Sequence, residues 1–254
     1  MSDEVLVEHV DGMAIITINR PAQRNAVNRA VALDVCAAVD EMDRDPALRI
    51  GILTGAGGTF CAGMDLKAFL QGEITRVEGR GFLGITMTPP KKPLIAAVEG
   101  YALAGGFESV LACDLVVAAR NATFGLPEVK RGLGAAAGGL MRLPRLIPQR
   151  IAMEVALTGD MISAERLYQY GLINALVEPG QALEEAKKLA RRIMANAPLA
   201  VAASKRVIVE QRDWPLAEMF ARQEAITGGL LKSADAREGA TAFKEKRAPV
   251  WKGE

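Results

Sequence analysis

The chain has 254 residues, of which 50% are hydrophobic and 24% charged, and its net charge is +1. That length and composition fit one large domain with a sizeable core, and the charge balance argues against the clustered basic surface that nucleic acids usually require. The single histidine, His9, excludes a multi-histidine metal site, and without a GxSxG elbow a Ser-His-Asp triad has no foothold.

The N-terminal stretch "MSDEVLVEHVDG" is acidic and polar, unlike a signal or transit peptide. "VLVEHVDGMAIITINR" holds two apolar runs split by Asp11-Gly12, the mark of a hairpin, and places His9 as a solvated strand residue. Val31, Val35, Val39 and Met42 then recur at helical spacing behind Asn28, a suitable N-cap. "LRIGILTG" reads as a buried strand. Residues 64–90 read as helix fragments and loop, given Gly72, Gly79, Gly81 and Pro89-Pro90. "PLIAAVEG" is a strand, 106–113 a short helix and "LVVAAR" another strand, so the first two-thirds alternates in the α/β manner. Leu183, Ala186, Ala190 and Ile193 mark one face of a later helix whose other face carries Lys187, Lys188, Arg191 and Arg192, a solvated basic face. Pro198 stops or restarts it, and helices are expected near 215–227 and 234–246, with Asp235 and Glu238 resembling a capping box. No apolar run approaches the ~18 residues of a membrane helix. Cys36, Cys61 and Cys113 form no CxxC pair, which points to reduced thiols and a cytoplasmic setting.

Two glycine-rich turns carry the chemistry. "TGAGGTFCAGMDL" follows a strand, but Phe60 stands where a dinucleotide fingerprint needs its third glycine. Gly58 and Gly63 have phosphate-loop spacing, yet Met64-Asp65 replace the Lys-Ser/Thr that would hold phosphate. What remains is a bend where a ligand can approach the backbone. Gly105-Gly106, in "LAGGFESVLACDL", also follows a strand and opens a helix, whose first N–H groups lack intrahelical partners. If the two turns converge, they aim two backbone donors at one oxygen, as in an oxyanion hole.

"FCAGMDLKAF", "AAVEGYALAGGFESVLACDLVVAARNATFGLPEVKRG" and "AFKEKRAPVW", with "NRPAQRNAVN" and "LTGDMISAERLYQYGLIN", resemble the enoyl-CoA hydratase/isomerase superfamily, the crotonases, over nearly the whole chain. The resemblance implies an α/β fold built as a spiral of ββα units, residues 1–195, followed by a C-terminal helical trimerisation region, residues 196–254. It implies acyl-CoA thioester substrates, a homo-trimer or hexamer, and no cofactor beyond the coenzyme A of the substrate. No metal, nucleic acid or membrane enters.

By the same resemblance, the backbone N–H groups of Met64 and Gly105 take the oxyanion-hole positions. Glu108 matches the first catalytic glutamate, which holds the water attacking C3, and Glu128 the second, which exchanges a proton with C2. Arg24 and Lys67 match positions near the nucleotide phosphates. Ala62, Asp65 and Leu66 line the adenine side, and Phe243 and Lys246 reach coenzyme A, often from a neighbouring subunit. Retention of both glutamates favours a hydratase, or the reverse dehydratase, over an isomerase. "ALAGGFE…FGLPEVKRG" also resembles the carnitinyl-CoA dehydratase branch, and a non-catalytic scaffold or RNA-binding member is the remaining alternative. Ala104, Leu126 and Ala135 depart from common family residues and bear on the acyl group accepted.

Overall fold

Asp11 and Gly12 both take positive φ, 51° and 79°, as a two-residue hairpin turn demands. They join β1 (Val5–Val10) to β2 (Met13–Ile18), with Val10 opposite Met13, in a computed structural model that describes residues 2–254. The helix α1 (Arg29–Arg44) begins where Asn28 accepts a 2.9 Å bond from the Val31 N–H, and it buries Val31, Val35, Val39 and Met42. β3 (Ile50–Gly55) returns beside β2, parallel to it.

Residues 64–90 hold more order than their glycines predict: a short helix, α2 (Leu66–Leu70), and a hairpin of β4 (Arg76–Val77) and β5 (Gly81–Phe82). Then come β6 (Leu94–Val98), β7 (Tyr101–Leu103), α3 (Gly105–Val110), β8 (Leu115–Ala119) and β9 (Thr123–Gly125). The α3 helix is shorter than the expected 106–113, since Leu111–Cys113 unwind into a turn before β8.

Past a 3-10 turn over Pro127–Arg131 follow α4 (Gly139–Leu146), α5 (Gln149–Thr158), β10 (Ile162–Ser163), α6 (Ala164–Gln169) and β11 (Ala175–Val177). The chain closes with α7 (Ala182–Met194), α8 (Pro198–Glu210), α9 (Met219–Thr227) and α10 (Ala234–Glu245). Pro198 restarts the helix at its first position, where its missing N–H costs nothing.

The main sheet runs β1-β2-β3-β6-β8-β11, parallel from β2 onward. Parallel strands covered on both faces must be largely apolar, and these are: the buried Thr54 of β3 satisfies its hydroxyl by donating to the Ala97 carbonyl at 2.9 Å. Ile50, Ile52, Ile95, Ala97 and Val117 face Ala182, Ala186 and Ala190 of α7. Leu53, Leu94, Ala96, Val98 and Val116 point the other way, into the larger core shared with α1. A second sheet, β10-β9-β7, stands beyond that core.

The capping-box reading of Asp235 and Glu238 is corrected. Ser233 caps α10, accepting from the Ala236 N–H at 3.0 Å. Asp235 is instead buried and takes the Lys252 and Gly253 N–H groups at 2.7 and 3.0 Å, fastening the C-terminal tail. Glu238 pairs with Arg247. The C-terminal helices leave Leu216, Phe220, Leu231 and Phe243 each at least 85% exposed. No helix among the described residues is long and apolar enough to cross a membrane.

Candidate active site

The two glycine turns do converge. Cys61 pairs with Ala102 of β7: its N–H donates to the Tyr101 carbonyl and its own carbonyl accepts from Leu103, both at 2.9 Å. Those bonds bring the turns at Gly63 and Gly105 side by side. A methyl group on Gly63 (φ 99°) would stand 2.8 Å from Cβ of Ala104 and 3.4 Å from the Gly105 nitrogen. Among the described residues, neither the Met64 nor the Gly105 N–H meets a protein acceptor. The ring of Phe82, on β5, backs the second turn so closely that a methyl on Gly105 would fall 2.6 Å from it.

Glu108 lies in the first turn of α3 and is only 3% exposed. Its Oε1 accepts from the backbone N–H groups of Ala137 and Gly139, both at 2.8 Å. These donors stand at the start of α4, whose N-terminal end is electropositive. Residue 139 must be small because a methyl there would meet Glu108 Cγ at 3.0 Å and Oε1 at 3.1 Å. Burial raises the proton affinity of Glu108, while the Gly139 and Ala137 N–H groups and the Arg142 charge oppose the shift without cancelling it.

Glu128 sits in the 3-10 turn after β9, half-buried, with its Oε2 enclosed and unpaired. Burial pushes its pKa up to about 7; its own backbone N–H opposes the shift, the nearby Glu108 charge adds to it and Arg131 opposes it. The two carboxylates are thus near enough for the Glu108 charge to raise the Glu128 proton affinity, and the more exposed of them titrates near neutrality.

The other expected residues divide into two places. Arg24, Ala62, Met64, Asp65, Leu66 and Lys67 gather around the first glycine turn: the Ala62 N–H donates to the Arg24 carbonyl at 3.0 Å, and Arg24 lies 6.0 Å from the Tyr101 ring. Arg24 and Lys67 are exposed. The Asp65 carboxylate is committed, capping α2 through the Lys67 and Ala68 N–H groups and pairing with Arg20 at 3.0 Å, so at this turn Asp65 presents backbone rather than a free charge. Phe243 and Lys246, at the end of α10, are exposed on a helix packed against residues 228–232 and the tail, apart from this cluster. Among the described residues no three His, Cys, Asp or Glu side chains gather to hold a metal ion.

Sequence reasoning missed the Ala137 and Gly139 donors and the Phe82 backstop. Gly138-Gly139 opening a helix repeats the Gly105-Gly106 pattern and was the available signal for the donors. Phe82 offered none.

Comparison with known proteins places the chain in a family. The family model described as enoyl-CoA hydratase/isomerase matches residues 8–254. A carnitinyl-CoA dehydratase of Salmonella typhi is 42% identical over 249 residues, 94% of each chain. An enoyl-CoA hydratase structure from Mycobacterium marinum superposes with a TM-score of 0.98 at 60% identity over the whole of both chains. A carnitinyl-CoA hydratase structure from Mycobacterium avium does so at 0.80 and 47%, again over both entire chains. The chain thus has the crotonase fold and belongs to the enoyl-CoA hydratase/isomerase family.

Proposed function

We propose that the protein adds water reversibly across the 2,3 double bond of a 2-enoyl-CoA thioester, giving the 3-hydroxyacyl-CoA. The observation that carries this reading is the pairing of a buried carboxylate, Glu108, with a half-buried one, Glu128, beside two converging N–H groups without protein acceptors. An isomerase needs only the second carboxylate, and a scaffold or RNA-binding member needs neither.

In this scheme the thioester oxygen accepts from the Met64 and Gly105 N–H groups as negative charge builds on it; losing one such donor typically costs ~3 kcal/mol. Glu108, ionised and held through Oε1, keeps its other oxygen for the water and takes that water's proton as oxygen bonds to C3. Glu128, with a pKa of about 7, retains a proton through much of the neutral range and delivers it to C2. The proton held by the pair moves from Glu128 to Glu108, and exchange with solvent resets it. Addition on the face that both carboxylates share is syn. Coenzyme A lies along Arg24, Ala62, Leu66, Lys67 and the Asp65 backbone. The exposed Leu216 and Phe220 are covered in a homo-trimer or hexamer, where Phe243 and Lys246 of a neighbouring copy complete that site. The thiols suit a cytoplasmic setting.

A carnitinyl-type acyl group is the second reading, favoured by the 42% identity to the Salmonella dehydratase. A panel of enoyl-CoA thioesters, straight, branched and betaine-bearing, followed by loss of enoyl absorbance, separates the two. Glu108→Gln and Glu128→Gln should each lower turnover of the best substrate by roughly 10²–10⁴-fold while thioester binding persists. Near-normal turnover by either variant, or hydration of no member of the panel, would sink the reading.

A further inference from the structure

Arg142 points back from α4 into the protein instead of out to solvent. Its Nη2 donates to the Thr86 carbonyl at 2.6 Å, and its Nη1 reaches the Ala137 carbonyl at 3.5 Å. The guanidinium lies so close over Gly138 (φ 104°) that any side chain there would collide with Nη1.

The groups it touches belong to both halves of the site. Ala137 and Gly139 flank Gly138 and supply the N–H donors that hold Glu108. Thr86 is 2% exposed and its N–H donates to the Phe82 carbonyl at 3.3 Å, in the turn whose Phe82 ring backs Gly105. Arginine suits this place because its planar fork spans two carbonyls and stays charged when half-buried; a lysine ammonium is a point donor.

We propose that Arg142 is a positioning residue: it clamps the loop cradling Glu108 to the turn supporting Gly105. This rests on the hydratase reading only for its kinetic consequence. Arg142 is the cation facing Glu108, and Glu108 in turn faces Glu128 from the 3-10 turn. Arg142 itself also faces Cys113, in the turn between α3 and β8, and Arg145 on its own helix. Burial pushes the Cys113 thiol far up, so that it stays neutral throughout an assay range.

Removing the positive charge must raise the Glu108 pKa further, because a nearby cation favours the carboxylate. Hydration needs Glu108 ionised, so the acid limb of the kcat profile must move to higher pH.

The experiment compares Arg142→Gln and Arg142→Lys with the unmodified protein, by pH-dependent kcat and KM on the best enoyl-CoA and by carbon-13 titration of labelled glutamate carboxyls. Glu108→Gln identifies the Glu108 signal. Arg142→Gln should lower kcat roughly 10–100-fold, the scale of a displaced catalytic group, leave KM within about 3-fold and shift both the acid limb and the Glu108 titration upward. Arg142→Lys should restore the titration but recover kcat only in part, since one ammonium cannot bridge both carbonyls. An unshifted Glu108 titration in Arg142→Gln, or full kcat in Arg142→Lys, overturns the proposal. If Arg142→Gln does not fold, the lysine variant alone decides. If the unmodified protein hydrates no enoyl-CoA, the hydratase reading fails while the carboxyl titration still decides the role of Arg142.

Discussion

Replacing Glu128 with glutamine should make the protein more stable at alkaline pH while removing its activity. The ionised Glu128 is expensive to hold: half of it is buried, its Oε2 has no partner, and Glu108 repels it. Its pKa rises from 4.5 to about 7 on folding. A folded-state pKa above the unfolded value means the native state binds the proton more tightly, so ionisation destabilises the fold. Below pH 4.5 both states are protonated and the penalty is absent. It grows as pH rises through the interval and is complete above about 7. At ~1.4 kcal/mol per pH unit the full shift would be worth ~3 kcal/mol, and partial solvent exposure reduces this to about 2 kcal/mol.

Glutamine keeps the shape and carries no charge, and the strain of one enclosed unpaired atom is common to both proteins. Glu108 remains in both, and its repulsion of the ionised Glu128 is part of the penalty that the substitution removes. Urea unfolding at fixed protein concentration should therefore give Glu128→Gln an advantage of about 2 kcal/mol at pH 8 that closes towards pH 4.5. In Tm the alkaline gain corresponds to roughly 4–8 °C for a chain of this size. A variant no more stable than the parent at pH 8, or a gap that persists unchanged into acid, would refute the reasoning.

Gly139→Ala places a methyl 3.0 Å from Glu108 Cγ and 3.2 Å from Leu126 Cδ1; the carboxylate must move, and kcat should drop roughly 10–100-fold with circular dichroism unchanged. Normal steady-state kinetics would show that the Gly139 contact does not hold Glu108. Ala104→Gly relieves an alanine held at φ 52°, ψ −130°, a conformation that costs a non-glycine residue ~1–3 kcal/mol. Against the extra freedom glycine gains when unfolded, the net should be a stabilisation of about 1 kcal/mol, and a lower midpoint in chemical unfolding would contradict it.

The sequence made β1 and β2 legible through their hairpin turn and β3, β6 and β8 through apolar runs bounded by glycine or charge, whereas the three residues of β11 were too few to read as a strand. It made α1 and α7 legible because each carries one apolar stripe, and in α7 alanines let the helix lie close on Ile52 and Ile95. The second sheet was not legible: β7, β9 and β10 have two or three residues each, too few for alternation to register. Asp235 misled because a carboxylate three residues before a glutamate at a helix start looks like a cap, whereas its partners, the Lys252 and Gly253 N–H groups, come from the far end of the chain. The two glutamates were legible as a pair only through the family resemblance, not from spacing or periodicity. What makes them a site is the pairing of Cys61 with β7 and the arrival of the α4 N-terminus, both contacts between distant segments.

The violations of local preference gather in this same place. Ala104 sits where glycine belongs, at the turn that offers the Gly105 N–H. Leu83, fully buried, takes φ 53° in the turn that sets the Phe82 ring behind Gly105. Glu108 is a buried carboxylate and Glu128 keeps an enclosed oxygen without a partner. Each is unfavourable alone, and sequences shed such features where nothing selects for them. Their neighbours over-determine them: two strand-like bonds fix the Cys61 turn, two N–H donors fix Glu108, and the Arg142 fork ties the cradle to the backstop. A site that must keep two carboxyl groups close, and two N–H groups without protein acceptors, can persist only inside such a frame. The rigidity of the surrounding bonds is therefore part of the chemistry the glutamate pair can perform.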